Sequence, residues 1–202
     1  MSDYDEAIRL DTGNALAHVD RGVLIATRKA ELRKAIGDFD HALALVPNNV
    51  DTLVLRGNAY TSVGEHGRAL ADLNRAVALA PDNPRAFMVR GLVNARLGDM
   101  QRAFADYNRA LSIDPEYVDA LVNRAAIYSM QGNIDEALAD LDQALERQPR
   151  HALANYNRVM PTSPDRNTIR PSQITAAPSR PMLGWAGPST TAASPAWSSA
   201  GT

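Results

Sequence analysis

Prolines at 47, 81, 115 and 149 stand 34 residues apart, and this spacing constrains the fold more than any other feature of the 202-residue chain. The same period sets Gly57, Gly91 and Ala125 in one column and Gly64, Gly98 and Gly132 in another. Ala69, Ala103 and Ala137 make a further column, as do Leu73, Tyr107 and Leu141, and Ala76, Ala110 and Ala144. A fixed period of this length means that one supersecondary unit is copied. Each copy is too small to bury its own apolar face and gains stability by stacking on its neighbours.

Each copy reads as two amphipathic helices. Over residues 50–63, Val50, Leu53, Val54, Tyr60 and Val63 fall at helical spacing. Gly64 then ends the helix, since a glycine just past a helix end takes the left-handed conformation at no steric cost. Over residues 66–79, Ala69, Leu70, Leu73, Ala76, Val77 and Leu79 share a second apolar face. Pro81 stops that helix, and Asp82-Asn83 supplies a cap for the next. The small residues Gly57, Gly91, Ala69 and Ala103 mark where the two helices of a unit approach closely, and larger side chains there would force them apart.

On these columns the chain resembles the tetratricopeptide repeat family. Residues 50–83, 84–117 and 118–151 make full repeats, and 15–49 makes another with one extra residue near Thr27 to Arg33. A one-residue insertion in a turn costs little closure entropy. Partial copies flank these, at 3–14, where Ala7, Ile8 and Leu10 keep the register, and at 152–160. The aromatic residue that often opens the family's first helix is present only as Phe87; His18, Leu53 and Leu121 occupy its place elsewhere. The resemblance implies an all-α, right-handed α-solenoid of stacked helix-turn-helix repeats over residues 3–160.

After Val159 the register is lost. Residues 161–202 hold seven of the twelve prolines, with much Ser, Thr and Ala. Such a segment buries too little apolar surface to offset its ordering entropy, and disorder is expected. Trp185 and Trp197 lie within it as incidental residues or short motifs. Loss of register inside a helix is what a truncation or a change of reading frame would produce. Sequencing the locus tests this, the supporting result being a helix-coding frame that continues only in another phase.

Charge narrows the function classes. Residues 1–160 carry 18 basic and 22 acidic side chains, so the repeats are mildly acidic and disfavour a phosphate-binding surface. No cysteine is present, which removes disulfide frameworks, thiol catalysis and zinc thiolates. No apolar run reaches the roughly 20 residues of a membrane span, and the acidic start of the chain does not read as a secretory signal. A cytoplasmic protein is the expectation.

Chemistry finds little footing. His18, His41, His66 and His151 are scattered over different helices without metal-ligand spacing, and His18 reads as a packing or capping residue. No nucleophile elbow or phosphate-cradling loop occurs, and the repeat accounts for the glycines. No catalytic residue, cofactor or metal is expected, and the chain does not read as an enzyme. Arg21, Arg56, Arg90 and Arg124 recur in the first helices, with Arg158 beginning a fifth copy. They form either a basic ladder for an anionic ligand or ion pairs with the recurring Asp38, Asp72, Asp106 and Asp140, and the pairing is favoured.

The family's concave groove, lined by first helices, takes an extended peptide or a helix. Carried over, this places Asp51, Val54 and Asn58, then Arg85, Met88 and Leu92, then Asp119, Val122, Asn123 and Ala126 along a partner-binding groove. Thr61, Ala95 and Ser129 belong to the same inward set. Val19, Val54, Met88 and Val122 make an apolar stripe that suits core packing as well as ligand contact. A variant of the family grips a peptide's terminal carboxylate; Val54, Asn58, Val89, Asp119 and Asn123 stand at those places here, and Asn58 alone matches. The expected function is a protein-interaction module, an adaptor or scaffold with a protein or peptide partner. The alternative is a regulatory or substrate-recruiting segment of a larger enzyme. Self-association through uncapped array ends is a further expectation.

Overall fold

A computed structural model describes residues 2–159. The expectations for residues 161–202, including disorder and the two tryptophans, lie outside the described residues. Ten α-helices follow one another, with no strand among the described residues: α1 Ser2–Leu10, α2 Ala15–Ala26, α3 Leu32–Leu45, α4 Val50–Ser62, α5 His66–Leu79, α6 Pro84–Arg96, α7 Met100–Ile113, α8 Val118–Gln131, α9 Ile134–Arg147 and α10 Ala152–Val159. The even-numbered helices are the first helices of the repeat and the odd-numbered ones the second.

The punctuation is local chemistry. The side chains of Asn14, Asn49 and Asn83 accept from the amides of Ala17, Thr52 and Ala86 at 2.9–3.1 Å, satisfying donors that an α-helix leaves open at its start. Gly64, Gly98 and Gly132 take φ of 82–83°, closing the turn between the two helices of each hairpin. The first hairpin has no glycine between Ala26 and Leu32 and turns instead through a 3₁₀ segment, Lys29–Glu31, which accommodates its additional residue. Gly98→Ala should cost about 1 kcal/mol through backbone strain alone, because a Cβ there would meet no atom within 4 Å. Gly67→Ala, inside α5 and equally open, should instead gain about 0.5–1 kcal/mol. Urea unfolding midpoints that moved alike in the two variants would remove the assigned role of φ.

Hairpin neighbours pack in pairs, α2 with α3, α4 with α5, α6 with α7 and α8 with α9. First helices also pack on the next first helix, from α2 through α4, α6 and α8 to α10, and the second helices lack comparable packing with one another. A stack in lateral contact along only one of its two layers curves toward that layer, so the first helices line the concave side.

The arginine column holds the stack together. Arg56 donates from Nε and Nη2 to the two carboxylate oxygens of Asp72, both at 2.7 Å, and from Nη1 to Asp40 of the preceding repeat at 2.7 Å. Arg21 repeats this with Asp38 and Asp5, Arg90 with Asp106 and Asn74, and Arg124 with Asp140 and Asn108. Each guanidinium thus ties three helices. Hydrogen bonding to Asp72 holds Arg56 above its ordinary pKa against the opposing effect of burial. The expected Arg–Asp pairs are present in all four repeats and leave no free basic ladder. The second contact, to Asp or Asn two residues beyond the paired aspartate's column, spans the joint between repeats.

Candidate partner-binding groove

Helical periodicity sorts the side chains of α4 into four sets. Leu53, Gly57 and Tyr60 face α5 and are buried. Thr52 and Ala59 turn toward the preceding first helix, Val54 and Thr61 toward the following one, and all four are buried. Asp51, Leu55, Asn58 and Ser62 face away from α5, and these are exposed or half-buried. The same division in α6 gives Arg85, Leu92 and Arg96 as the open set, with Val89 of that register buried at 4% exposure, and in α8 it gives Asp119, Asn123, Ala126 and Met130. In α2 the set is Leu16, Asp20, Val23 and Thr27.

The expected groove residues therefore separate. Asp51 and Asn58 are exposed on the concave face, and Arg85, Leu92, Asp119 and Asn123 are half-buried there. Val54 and Val122 are 1% exposed because their register directs them into the joint between successive first helices; a partner on this surface would not touch them. Met88 occupies the same register and is half-buried, packed against the apolar clusters on both sides of it. Ala126 has the open register, but its short side chain is buried at 4% exposure. Of the wider inward set, Thr61 and Ala95 are buried. The apolar stripe is thus chiefly core.

Leu55, Ser62, Arg96 and Met130 belong to the open face but were absent from the residues expected there, as were Leu16 and Asp20. Their signal lies in the sequence: they stand opposite the Gly57–Gly91–Ala125 column on the helical wheel. Partial desolvation raises the pKa of the Asp20 carboxyl above its ordinary value and lowers that of the Arg96 guanidinium, although the Arg96 side chain still reaches solvent. Arg96 also donates to the Thr61 carbonyl at 3.4 Å. Burial, with the charge of Asp119 adding, pushes the Tyr117 phenol up to about 12. Asn123 donates to the Asp119 carbonyl at 2.7 Å, while its own Oδ1 is buried without a partner. The face is acidic along α2 and α4, through Asp20 and Asp51, and carries Arg85 and Arg96 on α6.

His18 packs in the first hairpin, 5% exposed and stacked on His41 with ring centroids 5.2 Å apart. Its Nδ1 lies 3.5 Å from Asp38. No group of three or more His, Cys, Asp or Glu residues is placed to hold a metal among the described residues. No helix among them is long and apolar enough to cross a membrane.

Residues 27–84, 57–122 and 118–151 match models of the tetratricopeptide repeat. The fold is similar to that of a tetratricopeptide repeat protein from Parabacteroides merdae, at 25% identity and a TM-score of 0.64, covering 78% of this chain and 62% of that one. It is similar to MamA from Desulfovibrio magneticus at 20% identity and a TM-score of 0.62, covering 72% and 82%. The first TPR of Spaghetti (RPAP3), bound to the HSP90 peptide SRMEEVD, is 24% identical with a TM-score of 0.53, covering 55% and 89%. Among curated proteins, none matches.

Proposed function

Because the chain belongs to the tetratricopeptide repeat family, we propose that it is a protein-interaction module, an adaptor or scaffold, that holds a peptide or helix along the concave face of α2, α4, α6 and α8. The observation that carries this reading is the contrast between the two kinds of polar side chain on the first helices. Arg21, Arg56, Arg90 and Arg124 are committed to structural pairs. Asp51, Asn58 and Arg96, by contrast, stand exposed on the open face beside half-buried Leu55 and Leu92. Apolar contacts flanked by polar groups with hydrogen-bonding capacity to spare suit a peptide backbone and its side chains.

The RPAP3 domain, of similar fold, holds an HSP90 peptide. A terminal-carboxylate grip does not transfer, since Val54 and Val89 are buried and Asp119 is acidic at places where that grip needs accessible donors. The proposed partner contacts are Asp51, Asn58, Arg85, Met88, Leu92, Asp119 and Asn123, with Leu55 and Arg96 added by the geometry. Val54, Val122 and Ala126 support them from beneath.

The test is affinity capture with the full chain and with an Asp51→Lys/Asn58→Arg/Leu92→Glu variant of equal helix content. All three substitutions lie on the open face, so folding should be preserved. A partner retained by the native chain and lost with the variant is the expected result. Partners captured equally by both would place the binding surface elsewhere.

A further inference from the structure

Interior first helices bury, on their two sides, surfaces that α2 and α10 leave open. On the side facing the preceding repeat, Ala59, Val93 and Ile127 are at most 3% exposed, whereas Leu24, in their column on α2, is 40% exposed. On the side facing the following repeat, Val54 and Val122 are 1% exposed, whereas Tyr156, in their column on α10, is 43% exposed. The arginine column tells the same story. The side chains of Arg21, Arg56, Arg90 and Arg124 are 20–24% exposed, but that of Arg158 is 54% exposed. Arg158 reaches back to Asp142 at 2.9 Å, the joint-spanning contact of its column, and Ile174 stands 16 residues on where the other arginines find an aspartate.

By register, α1 is a second helix and α10 a first helix. Asp3 stands in the column of Asp38, Asp72, Asp106 and Asp140, Tyr4 in that of Phe39 and Tyr107, and Ala7 in that of Ala42 and Ala76. Arg21 already binds Asp5 at 2.8 Å as Arg56 binds Asp40 at 2.7 Å, so α1 is seated on α2 in the manner of every later second helix.

We propose that a second copy of this chain docks head to tail, α10 of one copy seating against α1 and α2 of the next in the position a first helix takes relative to its second helix and the following first helix. Arg158 then meets Asp3 of the next copy, and Tyr156 covers Leu24. The contact reproduces the packing that α2, α4, α6 and α8 each make with their own second helix and with the next first helix, used four times within the molecule. It is heterologous, so it builds open chains or rings in preference to a closed dimer. Two residues make the joint looser than an internal one. Asn155 replaces the apolar or histidine side chain of its column, and Val159 stands where only Gly or Ala occurs elsewhere. A Cβ at Gly22 or Gly91 would already meet an aromatic ring at 2.7 or 2.6 Å, and Val159 would face Tyr4.

Sedimentation velocity of the full chain over micromolar to submillimolar concentration tests this. The mass should rise with concentration and pass that of a dimer. Arg158→Asp and Asp3→Arg should each weaken association about tenfold, and mixing the two variants should restore it, because opposite charges then meet at the joint. Val159→Gly should tighten it several-fold, an effect that loss of helix stability would not produce. Circular dichroism confirms that each variant keeps its helices. A monomer at every concentration, a mass that stops at dimer, or association indifferent to the charge exchange overturns the proposal.

Discussion

Asp106→Ala is expected to lower stability by about 3 kcal/mol or more. The Asp106 carboxylate is 5% exposed and accepts from Arg90 Nη2 at 2.6 Å, from Arg90 Nε at 3.0 Å and from Asn94 Nδ2 at 3.0 Å. Removing it leaves a guanidinium and a buried amide without their acceptor, and the desolvation of those groups is no longer compensated. The other end of the same guanidinium gives the control. Arg90 Nη1 bonds to Asn74 at 3.1 Å, and Asn74 is exposed, so Asn74→Ala should cost less than about 1 kcal/mol. Urea denaturation of the two variants against the native chain separates the cases. Equal losses would mean that the second bond matters as much as the first, and the pair inside the repeat would lose its standing as the main tie. Because repeat arrays open unit by unit, the Asp106 variant should also lose amide protection in α6 and α7 before α2 and α3.

How far the sequence discloses this molecule depends on which residues repeat. Columns locked by backbone geometry or close packing are legible at once. Gly64, Gly98 and Gly132 announce a positive φ, and Pro47, Pro81 and Pro115 each follow a helix that ends two residues earlier. The Arg–Asp pairs are legible as well, because both partners recur at a fixed separation. Their second contact is less so, since Asp5 and Asp40 give way to Asn74 and Asn108 and the column looks like any polar position in solvent. The concave face is hardest to read because it does not repeat at all. Its open positions hold Asp51, Arg85 and Asp119 in one row and Asn58, Leu92 and Ala126 in the next, as expected of a surface that the fold leaves unconstrained. Val54 and Val122 misled for the opposite reason. They recur and are apolar, and recurrence here signals the joint between first helices, where packing fixes the choice.

Gly91→Leu should disrupt the third hairpin more than any other small-to-large change, by about 1–3 kcal/mol or beyond. A Cβ at Gly91 would lie 2.6 Å from Cε1 and 2.9 Å from Cδ1 of Tyr107, whose ring is fully buried. A Leu side chain must therefore displace the ring or separate α6 from α7. The ring has little room to yield, since its hydroxyl is also enclosed, without a hydrogen-bond partner, and burial holds the phenol protonated well above its ordinary pKa. Tyr107→Phe alone should be neutral or mildly stabilising, because it deletes only that unsatisfied group. The chain also contains the solution to the clash. At the corresponding positions of the next repeat, Ala125 and Leu141 are both fully buried, so that hairpin accommodates a methyl group opposite leucine, whereas in the second hairpin a Cβ at Gly57 would lie 2.8 Å from Leu73. Gly91→Ala should accordingly destabilise on its own and recover part of the loss when combined with Tyr107→Leu, giving a coupling energy outside additivity in a double-mutant cycle. Additive losses would show that the helix spacing in this hairpin is set by something other than contact between residues 91 and 107.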